Sequence, residues 1–113
     1  MLSPRPSATS IDIASCEAAE TVVVKTRSSV YELVVLRGNC GDVLVRGSSR
    51  FKRFCPALFV GSIRNDGALE RHTIAIGLRM KFYVDNLVII TSPVESLSRH
   101  LASAATTECA ATQ

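Results

Sequence analysis

The sequence predicts an all-β fold, a small antiparallel barrel or sandwich of six to seven strands built from hairpins. Strand-like runs recur along the chain with turn residues between them, and two pairs of these runs have the pattern of a hairpin. The composition, 47% hydrophobic and 20% charged in 113 residues, is that of an ordinary globular domain.

One domain is expected between residues 22 and 101. Residues 1–21 begin with a segment rich in Ser, Pro and Thr and are predicted to form a disordered tail, although residues 14–20 would suit one or two helical turns. Residues 102–113 contain no large side chain that would dock on a core, so a second disordered tail is expected there.

The first three strands are predicted from β-branched and apolar runs. Residues 22–27 (VVVKTR) end at a pair of serines, and residues 30–37 (VYELVVLR) follow directly. The loop at residues 38–41 (GNCG) has two glycines for positive φ, and residues 42–46 (DVLVR) return. The last two runs therefore form the first predicted hairpin.

The later strands follow the same logic. Residues 57–62 (ALFVGS) precede an Asn-Asp-Gly turn, and residues 69–76 (LERHTIAI) end at a glycine. Residues 79–84 (RMKFYV) alternate strictly, so Met, Phe and Val face the core while Arg, Lys and Tyr face solvent. An Asp-Asn turn then leads to residues 87–91 (LVIIT), which completes the second predicted hairpin.

The C-terminal end of the domain has two interpretations. Ser92, Pro93 and Glu95 fit the start of a short helix, with Ser as the N-cap and Pro at the first helical position. Val94 and Leu97 would then share one face of that helix. The alternative is a bent edge strand that passes through the proline.

Self-association is expected because the predicted core is small and two strands are apolar on both faces. Residues 33–36 (LVVL) and 87–90 (LVII) can bury only one face each in a single layer of core. A terminal segment, a second sheet or another subunit must cover the other face. The sequence therefore predicts a homo-oligomer.

The charge distribution points to an anionic partner. The net charge of the chain is +3, but residues 22–100 carry twelve Lys or Arg against six Asp or Glu. The densest basic stretch is RGSSRFKRF, which combines guanidinium groups with aromatic rings, as phosphate and base recognition require. The predicted ligand-binding residues are Arg46, Arg50, Phe51, Lys52 and Arg53.

Two alternatives apply to this stretch. It is a solvated loop in which Phe51 and Phe54 pack on the core, or it contacts another protein. Under the first alternative the cations point to water and have no ligand.

No catalytic residues, metal ligands or cofactor are predicted, and the protein is not expected to be an enzyme. The four cysteines form no Cys-x-x-Cys pair, and the glycines form no nucleotide-binding loop. The chain has two histidines, His72 in a predicted strand and His100 near its end. A nucleophilic Cys55–His72 pair is the enzymatic alternative, since such partners need only meet in space.

Two expectations concern location. The first ten residues lack the apolar segment of a secretory signal, and no run approaches the roughly 20 apolar residues of a membrane-spanning helix. A cytoplasmic protein without membrane association is therefore expected.

Two stretches resemble known sequences. Residues 29–47 and 77–97 resemble short bacterial proteins of uncharacterised function, and this resemblance extends over residues 22–97 without implying an activity. The spacing of Arg46 and Arg50 is similar to that of PilZ barrels, in which two arginines clamp a cyclic dinucleotide. The PilZ pattern continues with Asp/Asn-x-Ser-x-x-Gly. Here Ser62 is present, whereas Val60 and Asn65 replace the other two positions, so the PilZ pattern is incomplete.

The function predicted from these features is a small binding module for an anionic ligand such as a nucleotide or nucleic acid. The alternative is a protein-interaction or structural domain that forms homo-oligomers. A patch of exposed Val, Ile and Leu would favour protein contact, and a concave basic surface would favour the anionic ligand.

Overall fold

The computed structural model describes residues 9–101, and its architecture is all-β as predicted. Two short 3₁₀ turns, Ile13–Ser15 and Gly38–Cys40, accompany the strands. No helix in the described part of the chain is long and apolar enough to cross a membrane. The nine strands are β1 (Ser10–Asp12), β2 (Thr21–Thr26), β3 (Val30–Arg37), β4 (Asp42–Gly47), β5 (Phe51–Ile63), β6 (Leu69–Arg71), β7 (Thr73–Ala75), β8 (Arg79–Val84) and β9 (Leu87–His100).

Six of the strands form a near-closed antiparallel ring. The order in the sheet is β4-β3-β2-β9-β8-β5-β6, and an additional pairing of β4 with β5 joins the two ends of the ring. Strand β6 extends the sheet from β5, and β1 pairs with β7 in a separate two-stranded sheet. Both predicted hairpins are present, as β3–β4 and β8–β9.

The core fills the inside of this ring. The alternation predicted for β8 is confirmed, because Met80 and Phe82 are fully buried and Val84 packs against the core from the rim. Phe82 lies against Phe59 of β5, with the ring centroids 5.3 Å apart and the planes tilted by 58°. The two residues are also cross-strand partners, so the packing of their rings fixes the register of β5 and β8.

The predicted C-terminal helix is wrong, because Leu87–His100 is one continuous strand. It is also not an edge strand, since it pairs with β8 on one side and β2 on the other. Val94 and Leu97 are both buried. Their spacing of three arises because the register between β2 and β9 shifts opposite Lys25 and Thr26. Pro93 lies beside this irregularity, where a missing N–H is tolerated within a sheet.

The predicted N-terminal tail must be shortened. Residues 9–21 are ordered, with Ile11 and Ile13 buried in the core and Asp12 accepting a hydrogen bond from the amide of Ala14. Ile13 donates its N–H to the carbonyl of His72, which ties this segment to the ring. Residues 1–8 and the predicted tail at 102–113 lie outside the described residues.

The strand predicted at residues 69–76 is divided. Strands β6 and β7 are separated by His72, whose φ of 59° is in the left-handed region. Because the chain turns at this residue, β6 pairs with β5 whereas β7 pairs with β1.

Candidate functional site

The predicted basic stretch forms a hairpin between β4 and β5, not a loop. Phe51 is the first residue of β5, lies opposite Gly47 and is only 4% exposed. Its ring belongs to the core and is not available to stack on a base. The alternative in which both phenylalanines pack on the core is therefore correct for Phe51. It is not correct for Phe54, whose side chain is exposed on the outside of the six-stranded ring.

Arg46 is separated from the other predicted ligand contacts. It lies opposite Glu32 on β3 and forms an ion pair with that carboxylate. Its guanidinium also stacks over the ring of Phe54, 4.3 Å from the centroid. Both partners come from neighbouring strands, so the sequence alone gives no sign that this charge is already matched.

The remaining predicted cations, Arg50, Lys52 and Arg53, are exposed. None of them forms an ion pair within residues 9–101. The β2–β3 turn, with Lys25 and Arg27, lies beside them because Gly47 of β4 pairs with Tyr31 of β3. We call these five cations, which lie in or next to the two adjacent turns, the basic turns: Lys25, Arg27, Arg50, Lys52 and Arg53.

The structure leaves no PilZ-like site at Ser62. This side chain is fully buried, and its hydroxyl donates a 2.7 Å hydrogen bond to the carbonyl of Thr73. It therefore supports the junction of β5 with β7 and does not face a ligand.

An apolar surface on the outside of the ring was only partly foreseen from the sequence. Leu58, Tyr83 and Val88 are partners across β5, β8 and β9, so their side chains form one row pointing outward. Ile90 lies two residues beyond Val88 on the same face, and all four are exposed. We call these four residues the outer apolar face. The second face of residues 87–90 thus lacks a cover within the described chain, as the apolar run indicated.

His72 lies near Cys40 and not near Cys55, the cysteine of the enzymatic alternative. A cavity of about 220 Å³ is lined by Cys40, Leu58, Phe59, Val60, Arg71, His72 and Tyr83. Cys55 does not line it, and its thiol instead lies 3.4 Å from the carbonyl oxygen of Arg53. The fold therefore brings together Cys40 and His72, from the β3–β4 turn and the β6–β7 junction.

A second, larger cavity of about 530 Å³ has walls of mixed charge. Arg64 lies in its lining and forms ion pairs with Asp66 and Glu70, which also line it. The single positive charge is outnumbered by two carboxylates, so the charged lining has a net charge of −1 and does not favour an anionic ligand.

A buried carboxylate lies away from both cavities. Glu20 is 2% exposed and accepts hydrogen bonds from Nε and Nη2 of Arg99 at 2.9 and 3.4 Å. Burial raises the pKa of the neighbouring Cys16 thiol to about 11, and the hydrogen bond with Glu20 adds to this effect. Cys16 is therefore a protonated, unreactive thiol at neutral pH.

Comparison with known proteins adds no relative: no protein-family model, curated protein or solved structure matches the chain. Within residues 9–101, no group of three or more His, Cys, Asp or Glu side chains is placed to hold a metal ion.

Proposed function

We propose that this protein acts by binding another polypeptide through the outer apolar face, and that the polypeptide is a second copy of the chain. The observation that carries the proposal is the single cross-strand row of Leu58, Tyr83 and Val88. Isolated apolar residues are normal on a protein surface, whereas a contiguous exposed patch is typical of an interaction site.

Charge at the margins of the face supports a second copy as the partner. Asp42 of β4 is in register with Leu58, and Lys81 of β8 is in register with Ile90. A two-fold contact that lays β5 on β8 of the other copy also lays β4 over β9. Asp42 then lies over β9 and Lys81 over β5 of the other copy, so each copy contributes one charge of each sign to the contact. Asp42 is available for this contact because its ion pair with Arg37 is exposed and contributes little to the stability of the fold.

The test compares two valines of nearly equal exposure. Val88 in the outer apolar face is 52% exposed and Val30, at the start of β3, is 51% exposed. We expect the wild-type protein to be dimeric in sedimentation equilibrium at micromolar concentrations. Val88→Asp should raise the dissociation constant at least about 100-fold, because it buries a charge in each half of the contact.

Val30→Asp is the matched control and should leave the dimer unchanged. Far-ultraviolet circular dichroism of both variants checks that the strands remain folded. A wild-type protein that is monomeric at micromolar concentrations would contradict the proposal, and so would an equal effect of both substitutions.

A second candidate function is binding of a polyanion, which the basic turns favour. Eight of the twelve cations in residues 22–100 form no ion pair within the described chain, and five of these eight are in the basic turns. The exposed carboxylate of Glu95 lies beside this group, between the register partners of Lys25 and Thr26. It offsets one of the five positive charges. Such a surface suits the phosphates of a single-stranded nucleic acid.

Fluorescence anisotropy with a labelled 12-nucleotide RNA tests this second function. Replacing Arg50, Lys52 and Arg53 together by glutamine should weaken binding at low salt about tenfold or more. It should also reduce the slope of log affinity against log salt by about 2, since each phosphate contact contributes about 0.7. The control replaces Arg37, Arg46 and Arg64, which are ion-paired, and changes net charge equally. Equal losses in the two triple variants would show nonspecific attraction only and would reject the basic turns as a site.

A further inference from the structure

The 220 Å³ cavity brings together chemistry-bearing side chains from separate parts of the chain. Cys40 comes from the β3–β4 turn, Arg71 and His72 from the β6–β7 junction, and Tyr83 from β8. The floor between them is β5, with the apolar residues Leu58, Phe59 and Val60. No single sequence motif contains these residues, so their association could not be predicted from the sequence.

The backbone around the cavity is held in unusual conformations by hydrogen bonds. His72 adopts a left-handed φ, which costs a non-glycine residue about 1–2 kcal/mol. Its N–H donates to the carbonyl of Val60 at 3.1 Å, and its own carbonyl accepts from Ile13 at 2.7 Å. These bonds hold the backbone of His72 in place, and its imidazole lies close to Gly41.

Gly41 is the residue that makes room for this arrangement. Its φ is 80°, and its carbonyl accepts a 2.8 Å hydrogen bond from the amide of Phe59. A Cβ at this position would lie 3.5 Å from Cδ2 of His72 and 2.5 Å from the carbonyl oxygen of Phe59. The absence of a side chain therefore allows the β3–β4 turn, with Cys40, to pack closely against the backbone of Phe59, beside His72.

The charge of the lining is positive. None of the seven lining residues is acidic, and Arg71 forms no ion pair within residues 9–101. Nζ of Lys81 lies 5.6 Å from the centroid of the Tyr83 ring, so a second cation lies beside one of the lining residues. The larger cavity differs in this respect, because its arginine is already paired with two carboxylates.

We propose that this cavity binds a small oxyanion, a carboxylate or phosphate group on a compact molecule, with Arg71 as the charge contact. A guanidinium group binds both kinds of oxyanion through paired N–H donors. The volume is below the roughly 300–1,000 Å³ usual for drug-sized ligands, which restricts the ligand to a small one. Because the Cys40 thiol lies in the cavity wall, its rate of alkylation reports which reagents enter the cavity.

The test compares alkylation of Cys40 by iodoacetate, an anion, and by iodoacetamide, its neutral analogue. In both reactions the thiolate displaces iodide and forms a thioether, so the reagents differ mainly in charge. We expect the ratio of the iodoacetate rate to the iodoacetamide rate to be about tenfold higher at Cys40 than at Cys55, because a cationic cleft concentrates anions. Peptide mass spectrometry reports each cysteine separately, and the buried Cys16 should remain unmodified in the folded protein.

Arg71→Gln should lower the ratio of the iodoacetate rate to the iodoacetamide rate at Cys40 to the value found at Cys55. The control is Arg79→Gln, which removes an exposed arginine outside the cavity. It should leave the ratio of the iodoacetate rate to the iodoacetamide rate at Cys40 unchanged. Millimolar inorganic phosphate at constant ionic strength should slow iodoacetate at Cys40 alone. Equal rate ratios at Cys40 and Cys55 in the wild-type protein would overturn the proposal. A ratio at Cys40 that remains high in Arg71→Gln would also overturn it.

Leu58 and Tyr83 belong both to the cavity wall and to the outer apolar face. Labelling is therefore carried out at a protein concentration where sedimentation detects monomer only. Under that condition the dependence on Arg71 reports on the cavity, and the two proposals succeed or fail separately.

Discussion

Replacing Arg99 by methionine is expected to lower the free energy of unfolding by about 2 kcal/mol, less than the roughly 3–5 kcal/mol for a fully buried ion pair, because the Arg99 side chain is 39% exposed. The carboxylate of Glu20 is almost completely buried and has two hydrogen bonds from this guanidinium. Methionine retains much of the side-chain volume but no charge. A buried carboxylate would then remain without its counter-ion, which is the costly half of such a pair. Urea denaturation at neutral pH measures the loss.

The exposed ion pair of Arg37 with Asp42, in the same six-stranded ring, provides the control. Arg37 pairs with Asp42 at 3.0 Å, but the Arg37 side chain is 73% exposed. Arg37→Met should therefore cost less than about 1 kcal/mol. Adding Glu20→Gln to Arg99→Met should restore part of the stability, because it removes the unpaired charge. Similar losses for Arg37→Met and Arg99→Met, or no recovery in the double variant, would show that burial of Glu20 is not the cause.

The features predicted correctly from the sequence are those that depend on neighbours along the chain. The β8–β9 hairpin needs only alternation in residues 79–84 and a turn that tolerates positive φ, and Asp85 indeed has a φ of 56°. The β3–β4 hairpin depends in the same way on the Gly-containing turn at 38–41, in which Gly41 is left-handed. Local chemistry was sufficient in both cases.

The features predicted incorrectly depend on partners far away in the sequence. Ser92 and Pro93 carry a valid helix-start signal, but the open edges of β2 and β8 on either side offer hydrogen bonds to a whole strand. Ser92 instead accepts a hydrogen bond through its hydroxyl from the amide of Ser28, 64 positions earlier. In the same way, the ordering of residues 9–21 depends on a pairing with β7 that no local pattern reveals.

The candidate site was predictable in composition but not in arrangement. The basic stretch was identified from its residue types, yet its free charge depends on cross-strand neighbours. Glu32 neutralises Arg46, and the β2–β3 turn adds Lys25 and Arg27. The same reasoning applies to the cavity, where Cys40 and His72 meet only because the β3–β4 turn and the β6–β7 junction both pack against β5.

Replacing Gly61 by alanine is expected to destabilise the protein by about 3 kcal/mol, through overpacking and backbone strain together. Gly61 of β5 pairs with Arg71 on one side and Lys81 on the other. A Cβ there would lie 2.9 Å from the carbonyl carbon of Glu70 and 3.0 Å from Cα of Arg71, with the Glu70 carbonyl oxygen nearer still. These are backbone atoms of a paired strand, so β6 must move away from β5.

Gly67→Ala separates the steric contribution from the conformational one. Gly67 also has a positive φ, 91°, but nothing lies within 4 Å of a Cβ placed there. It should therefore cost only about 1 kcal/mol, the strain of a non-glycine residue in that conformation. Chemical denaturation compares the two variants. Displacement of β6 in Gly61→Ala should also expose the amide of His72, which now donates to Val60, to faster hydrogen exchange. Equal stability losses with unchanged exchange at His72 would show that the close approach of β5 and β6 does not constrain residue 61.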